Sequence, residues 1–403
     1  MRFCLPLLFL LFPLALLAQT GSITGKVARL DTKTALGKAS VFLSNSSYGT
    51  ISNDDGTFTL NGLKPGQYQL VVTMVGFEDF NQTVMIPRDP KEPIKVNAEL
   101  MPKVTELHEV VITDPANWKQ NYEKFVKLFL GESNNAKKCK ILNPHEISLI
   151  YRKSKQTLEG WSNDFIEIEN RALGYKVKFM LKSFSYDEIN NIISWEGKVL
   201  YTEMPGSATQ KKIWEAKRND IYYGSNMHFF RSVQNAKMSE EGFVAMILVR
   251  KPNPERPPQE VIVKRIKQWE RINTDSANRW KRLYNLPKYE ESLQRQPLKE
   301  TDFASATNQP GIFAISFPQY LYVMYTKKRE SMDFKDIYHP LDMPNYETSI
   351  ITLYKPYALF DMNGIIVSSQ STLFEGTWSK NKIAELLPVD YVPGDMKIKD
   401  DHL

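Results

Sequence analysis

Gly49-Thr50-Ile51-Ser52-Asn53-Asp54-Asp55-Gly56-Thr57-Phe58-Thr59-Leu60 decides the fold of the first hundred residues. Two β-rich runs flank Asn-Asp-Asp-Gly. Asp-Gly in that position predicts a hairpin, because the turn needs positive φ angles. A calcium loop is the competing reading. It would need more oxygen ligands, typically ending in a bidentate Glu, and the eight residues after Gly56 hold no acid. The turn reading prevails.

Outward from this turn the pattern repeats. Ser22–Leu30 alternates as a half-buried strand, and Ala39–Leu43 is the next. Leu63-Lys64-Pro65-Gly66 is a second turn signal. Gln67–Val75 is the longest strand, with Tyr68, Leu70, Val72 and Met74 on one face. Pro87, Pro90 and Pro93 loosen the chain before Ile94–Leu100. Short strands at this spacing predict a β-sandwich over residues 19–101.

Ile23-Thr24-Gly25-Lys26-Val27, Ala39-Ser40-Val41, Gly49–Phe58 and Gly66-Gln67-Tyr68-Gln69-Leu70 together resemble a carboxypeptidase regulatory-like domain. The resemblance implies a prealbumin-like sandwich; it does not imply a peptidase. Such a module followed by Leu107-His108-Glu109-Val110-Val111-Ile112-Thr113 is also similar to the front of TonB-dependent outer-membrane receptors. In those a plug and a 22-stranded barrel follow. Here 290 residues remain, 114–403. Strands of about 10 residues would use on the order of 220 of them before loops and plug, so no such barrel fits.

The first 18 residues, Met1-Arg2-Phe3-Cys4 through Leu17-Ala18, have one cation, an apolar run Leu5–Leu17 and a small residue before Gln19. This is the layout of a secretory signal peptide. The run is shorter than the roughly 20 residues of a spanning helix, and an uncleaved anchor is the alternative. Cys4 lies too early for a lipoprotein attachment site. The expected address is the exterior: periplasm or outer-membrane associated, in a Gram-negative envelope. The mature chain would keep one cysteine, Cys139, and so form no internal disulfide. Cys139 is expected to be a small buried hydrophobe.

Net charge is +6, and +5 once Arg2 is removed. Residues 19–101 carry eight bases and eight acids, whereas residues 207–290 carry 17 Lys/Arg against nine Asp/Glu. Such a basic stretch fits nucleic acid, anionic lipid or lipopolysaccharide phosphates, or a solvated helical surface. Export argues against nucleic acid. No later apolar run reaches 18 residues, so no transmembrane helix is expected in the mature chain.

Residues 102–117 are expected to be a linker and 118–403 an α+β domain with antiparallel strands. Asp114-Pro115 followed by Trp118, Tyr122, Phe125, Val126 and Phe129 predicts a helix ended by Gly131. Tyr175–Leu181 and Ile193–Tyr201 alternate as an antiparallel pair. Ser207 caps a helix to Tyr222, Gly224 breaks it, and Ser225 caps another through Val233. Phe243–Arg250 reads as a strand and Lys251–Pro258 as a rigid connector. Glu260–Ile272 fits strand or helix; Ser276–Tyr284 fits helix. Ile312–Thr326, Ser349–Tyr354 and Ala358–Ser369 read as strands, the last turning at Asn363-Gly364. Ser379–Leu387 reads as a short helix. Cys139–Pro144, Glu169–Tyr175, Met227–Arg231 and Gly376-Thr377-Trp378 resemble the downstream part of other exported envelope proteins. That resemblance implies location and architecture, not chemistry.

The search for chemistry is mostly negative. The histidines are His108, His145, His228, His339 and His402. No His-x-x-Glu pair of a zinc carboxypeptidase and no His-Glu-x-x-His occurs. His339-Pro340-Leu341-Asp342 has ligand spacing but an intervening proline. There is no Gly-x-Ser-x-Gly elbow and no phosphate-cradling loop. Glu167 and Glu169 share a strand face, as glycosidase acids would, or as solvated surface does. His228 suits a packed core histidine better than a base. Trp161, Trp195, Trp214, Tyr222 and Tyr223 offer stacking faces for a glycan, or core packing. The expectation is a non-enzymatic envelope protein with no catalytic, cofactor or metal residues. Its sandwich would dock, and its α+β region would bind an envelope protein or surface glycan. A glycan-binding protein and a hydrolase built from distant residues are the alternatives.

Overall fold

The computed structural model describes residues 20–103, 115–330, 344–368 and 370–394. The signal-like segment with Cys4, the Leu107–Thr113 string, Asp114, His108, His339, Asp342 and His402 lie outside these residues.

Seven strands build the expected sandwich: β1 (Gly21–Arg29), β2 (Ser40–Leu43), β3 (Gly49–Ile51), β4 (Thr57–Leu63), β5 (Gly66–Thr73), β6 (Phe80–Ile86) and β7 (Ile94–Leu100). One sheet has the order β4-β1-β7, the other β3-β2-β5-β6. Ile23, Val27, Val41, Leu43, Leu70, Val72 and Ala98 are fully buried between them. The Asn53–Gly56 turn forms as read. Gly56 has φ 80°, and the Asp55 carboxylate accepts from Thr57 N at 2.9 Å and Thr57 Oγ1 at 2.6 Å. The hairpin does not form. β3 pairs with β2 and β4 with β1, so this turn is a corner between the sheets. Turn chemistry dictates the reversal, not which neighbours the flanking strands take.

The second region begins with α1 (Pro115–Leu130). An antiparallel sheet follows: β8 (Cys139–Ile141), β9 (Ile147–Arg152), β10 (Thr157–Ser162), β11 (Ile166–Asn170), β12 (Tyr175–Asp187) and β13 (Ile192–Glu203). β12 and β13 are the expected pair. Tyr175, Val177, Phe179 and Leu181 are buried, and Phe125 and Phe129 of α1 pack on this face. Ring centroids lie 5.1 Å apart for Phe129–Phe179 and 4.9 Å for Phe125–Phe184. Of the four short strands before β12, only β11, which carries Glu167 and Glu169, was read from the sequence.

Helices α2 (Ala208–Tyr222) and α3 (Asn226–Gln234) match their caps: Ser207 accepts from Gln210 N, and Ser225 from His228 N. Then come β14 (Phe243–Pro252), α4 (Gln259–Trp269), α5 (Thr274–Tyr284) and β15 (Tyr289–Leu298). The ambiguous 260–272 stretch is therefore helical to Trp269 and turns after it. Next are β16 (Ala304–Ala306), β17 (Ile312–Ile315), β18 (Tyr320–Arg329), β19 (Tyr346–Leu353), β20 (Ala358–Asp361), β21 (Thr372–Gly376) and α6 (Thr377–Lys380). They form a sheet of order β15-β14-β18-β19-β21 and a smaller one of order β16-β17-β20. The single strand read over Ile312–Thr326 is two strands in different sheets. Pro318 lacks the N–H a ladder needs, and Gln319 takes φ 59°. The 379–387 helix is likewise replaced by α6 and a 3-10 turn, Ile383–Glu385.

The sandwich is built onto the second region. Asn45 N–H donates to Val199 O at 2.7 Å, Tyr201 N–H to Ser46 O at 2.9 Å, and Val389 N–H to Asn45 O at 2.7 Å. Phe42 and Val71, on the sheet face opposite the sandwich core, are also fully buried. The Phe42 ring meets Phe165 edge-on at 5.7 Å. Asn45 sits at φ 61°, which Asn and Gly tolerate and β-branched residues do not. Asn45→Val is expected to lower stability by about 1–2 kcal/mol and Asn45→Gly to change it far less. Urea denaturation of both variants checks this; equal losses would show that backbone strain is not the cause.

Candidate functional site

The junction of α2 and α3 gathers polar and titratable groups on both sides of one turn. Gly224, at φ 88°, makes the turn between the helices. A Cβ there would fall 2.8 Å from the Tyr325 ring and 2.9 Å from a Glu347 carboxylate oxygen, so only glycine fits. Gly224 O accepts from Trp378 Nε1 at 2.7 Å, and Gly224 N–H donates to His228 Nδ1 at 3.1 Å.

Two small clefts open on either side of this turn. One, of about 180 Å³, is lined by Asp220, Lys328, Glu347, Thr377, Asn381 and Glu385, among others. The other, of about 170 Å³, is lined by Tyr222, Tyr223, His228, Arg231, Lys237 and Glu241, among others. Binding pockets for drug-sized ligands start at about 300 Å³.

His228 is buried among the Tyr222, Tyr223, Phe243 and Tyr325 rings. Burial pushes its pKa down to about 4, against the opposing pull of Glu241. The ring is therefore neutral at pH 7. Because Nδ1 accepts from Gly224, Nε2 carries the proton and donates to Glu241 at 3.2 Å. Among the described residues His228 meets one carboxylate, Glu241, and no second acid at hydrogen-bond distance; Ser225 Oγ caps α3. This is the packed histidine the sequence suggested. Arg231 reaches three carbonyls: Asn363 at 2.9 Å, Tyr391 at 3.0 Å and Val389 at 2.7 Å. It clamps the chain's later segments to α3. Across the turn, burial pushes the Glu347 carboxyl up to about 7, with Glu330 and Asp220 adding to the rise and Lys328 opposing it. The Glu347 carboxyl is thus held well above the usual carboxylate range. No sequence signal marked it, since a Glu on an alternating strand looks like surface.

The remaining sequence candidates scatter. Glu167 lies opposite Lys178 in the β11–β12 register, 3.8 Å away, and Glu169 pairs with Arg171 at 2.7 Å. Neither lines the two clefts at the α2–α3 junction. His145 is exposed in a 3-10 turn. Burial, with Glu385 nearby, pushes the Cys139 thiol up to about 12, so it stays protonated. Trp214 is buried and donates to Arg171 O at 3.1 Å; Tyr222 is buried too. Trp195 shares its sheet face with Gly160 and Phe184, so Trp161, one residue along, points to the opposite face. These aromatics do not form one platform. Among the described residues no three His, Cys, Asp or Glu side chains are grouped to hold a metal.

Residues 23–112 match the family model of the CarboxypepD_reg-like domain. The seven-stranded sandwich is that domain, and the rest of the chain lies outside the match. No curated protein matches the chain. Among solved structures, the chain is similar to the group B streptococcus pilus 2b backbone protein, at 22% identity and TM-score 0.18. That match covers 21% of this chain and 42% of the pilus protein, so less than half of the latter's length. A DUF3823 family protein from Bacteroides ovatus matches at 11% identity and TM-score 0.17, over 47% of this chain and 83% of that one. A protein of unknown function from Bacteroides fragilis matches at 10% identity and TM-score 0.16, over 89% and 93%. None of these likenesses bears on function.

The two titrating groups have opposite linkage. His228 has a folded pKa below its ordinary 6.5, so its stabilisation is present above pH 6.5 and is lost as pH falls towards 4. Glu347 has a folded pKa above its ordinary 4.5, so its stabilisation is present below 4.5 and is lost as pH rises through about 7. Thermal melts across this range should show a shallower acid limb for His228→Gln. Glu347→Gln should melt higher than the parent at pH 8, with the difference closing by pH 4.5. A Glu347→Gln protein that melts lower at pH 8 would contradict the burial argument.

Proposed function

We propose that the chain is an exported, non-enzymatic cell-envelope protein. In this reading residues 1–18 are a cleaved signal, and residues 19–101 form a fixed sandwich platform. Residues 102–117 link it to an α+β region, 118–403, that binds another envelope protein. The signal-like start and the carboxypeptidase regulatory-like domain support the envelope address. No described helix is long and apolar enough to cross a membrane.

One observation carries the binding-protein reading. At the α2–α3 junction Gly224, Ser225, His228, Arg231 and Trp378 are each committed to hydrogen bonds within the chain. The two clefts beside them are smaller than the pocket of a drug-sized ligand. Such groups hold a surface in shape. A glycan ligand is the weaker reading, since Trp214 and Tyr222 are buried and Trp161 and Trp195 face opposite ways.

Crosslinking pull-down of the full chain from intact envelopes tests the proposal. The expected result is a processed chain starting at Gln19 in the envelope fraction, one reproducible protein partner, and no turnover of a hydrolase substrate panel. Turnover that is lost in His228→Ala or Glu347→Gln, with no specific partner, overturns it.

A further inference from the structure

Part of the basic stretch 207–290, its last third, forms a distinct object. α4 and α5 form a helical hairpin inserted between the paired strands β14 and β15. Residues 259–288 hold eight Lys/Arg and three Asp/Glu. Ile262 and Ala277, on the facing sides of the hairpin, are buried; most of its other residues are exposed or half-buried. The inner side leans on the second region through Lys267 to Gln156 and Asn190 to Glu260. Of its bases Lys281 pairs with Glu270, while Lys264, Arg265, Arg271, Arg279 and Arg282 are all exposed.

The apex adds a second observation. Between the helices the chain turns through Trp269, Glu270, Arg271 and Ile272, with Asn273 N–H donating to Trp269 O at 2.8 Å. Ile272 is 71% exposed, the most exposed large apolar residue of the second region's described part. Trp269 beside it is half-buried. An apolar tip carrying Arg271, on a hairpin whose shafts carry the exposed Lys264, Arg265, Arg279 and Arg282, suits the boundary between lipid headgroups and acyl chains, with Glu270 and Asp275 the acids near the tip. A surface that met only phosphates, as on a nucleic acid, would have no use for an exposed isoleucine at its apex.

We propose that the α4–α5 hairpin seats the protein on an anionic membrane surface, its arginines and lysines on lipid phosphates and Ile272 in the acyl boundary. Each cation near such a surface contributes on the order of 1 kcal/mol, and the attraction weakens as salt shortens the Debye length.

Vesicle co-sedimentation of the full chain tests this, with phosphatidylcholine alone against phosphatidylcholine and phosphatidylglycerol in a three-to-one ratio. Binding is expected only to the mixed vesicles, and raised salt should release it. Arg279→Ala with Arg282→Ala should weaken binding about thirty-fold. The paired Arg→Lys variant should retain it, because a point charge suffices. Ile272→Ser, an exposed change that leaves the fold intact, should weaken vesicle binding about tenfold and leave any binding to duplex DNA unchanged. Equal binding to both vesicles, no binding to either, or mixed-vesicle binding indifferent to Ile272→Ser would overturn the proposal. So would duplex DNA binding tighter than the mixed vesicles.

Discussion

The molecule depends on how one exposed sheet edge is closed. β13 is an edge strand of the six-stranded sheet, and its unpaired backbone groups at Val199 and Tyr201 would otherwise face water or another chain. The loop after β2 supplies the missing partners. Asn45 and Ser46 bond to β13 on one side, and Asn45 O takes the amide of Val389 on the other. Around this seam Ser47 bonds to Asp390, Lys64 donates to Asp390 O at 2.8 Å, and Asn363 Nδ2 donates to Gln67 O at 3.0 Å. Lys198 and Asp79 close its far side at 2.7 Å. The sandwich is thereby a structural part of the second region.

The same seam shapes the polar junction. Arg231 holds Val389 and Tyr391 from the α3 side, while the sandwich loop holds Asn45 against Val389. One short segment is thus gripped from both directions. Burial at this seam pushes the Asp361 carboxyl up to about 6, even though Asn363 and Ile365 amides bond to it. Perturbed protonation at this joint follows from burial of polar groups that hold the two regions together.

Legibility followed the range of the interaction. Local features were plain: the Asn53–Gly56 turn, the Ser207 and Ser225 caps, Gly224 as a helix break, and the alternating β12–β13 pair. The packed role of His228 was legible too, from its apolar neighbours Met227 and Phe229. Glu347 was not, because its environment comes from Lys328, Glu330 and Asp220 on other elements. The hairpin at Asp55-Gly56 was misread for the same reason: the turn is local, but the partners of its two flanks are not.

By itself the sequence determined the sandwich, the capped starts of α2 and α3, the faces of β12 and β13 and the absence of a known catalytic motif, because each rests on periodicity, caps and turns within a few residues. Only the tertiary structure decided that Phe42 and Val71 are as buried as the sandwich core. It alone brought Asn45 to Val199, split Ile312–Thr326 between two sheets and separated Trp161 from Trp195. Those outcomes come from long-range strand pairing and burial on a second face, and a period-two pattern read along one strand names one buried face, not what covers the other.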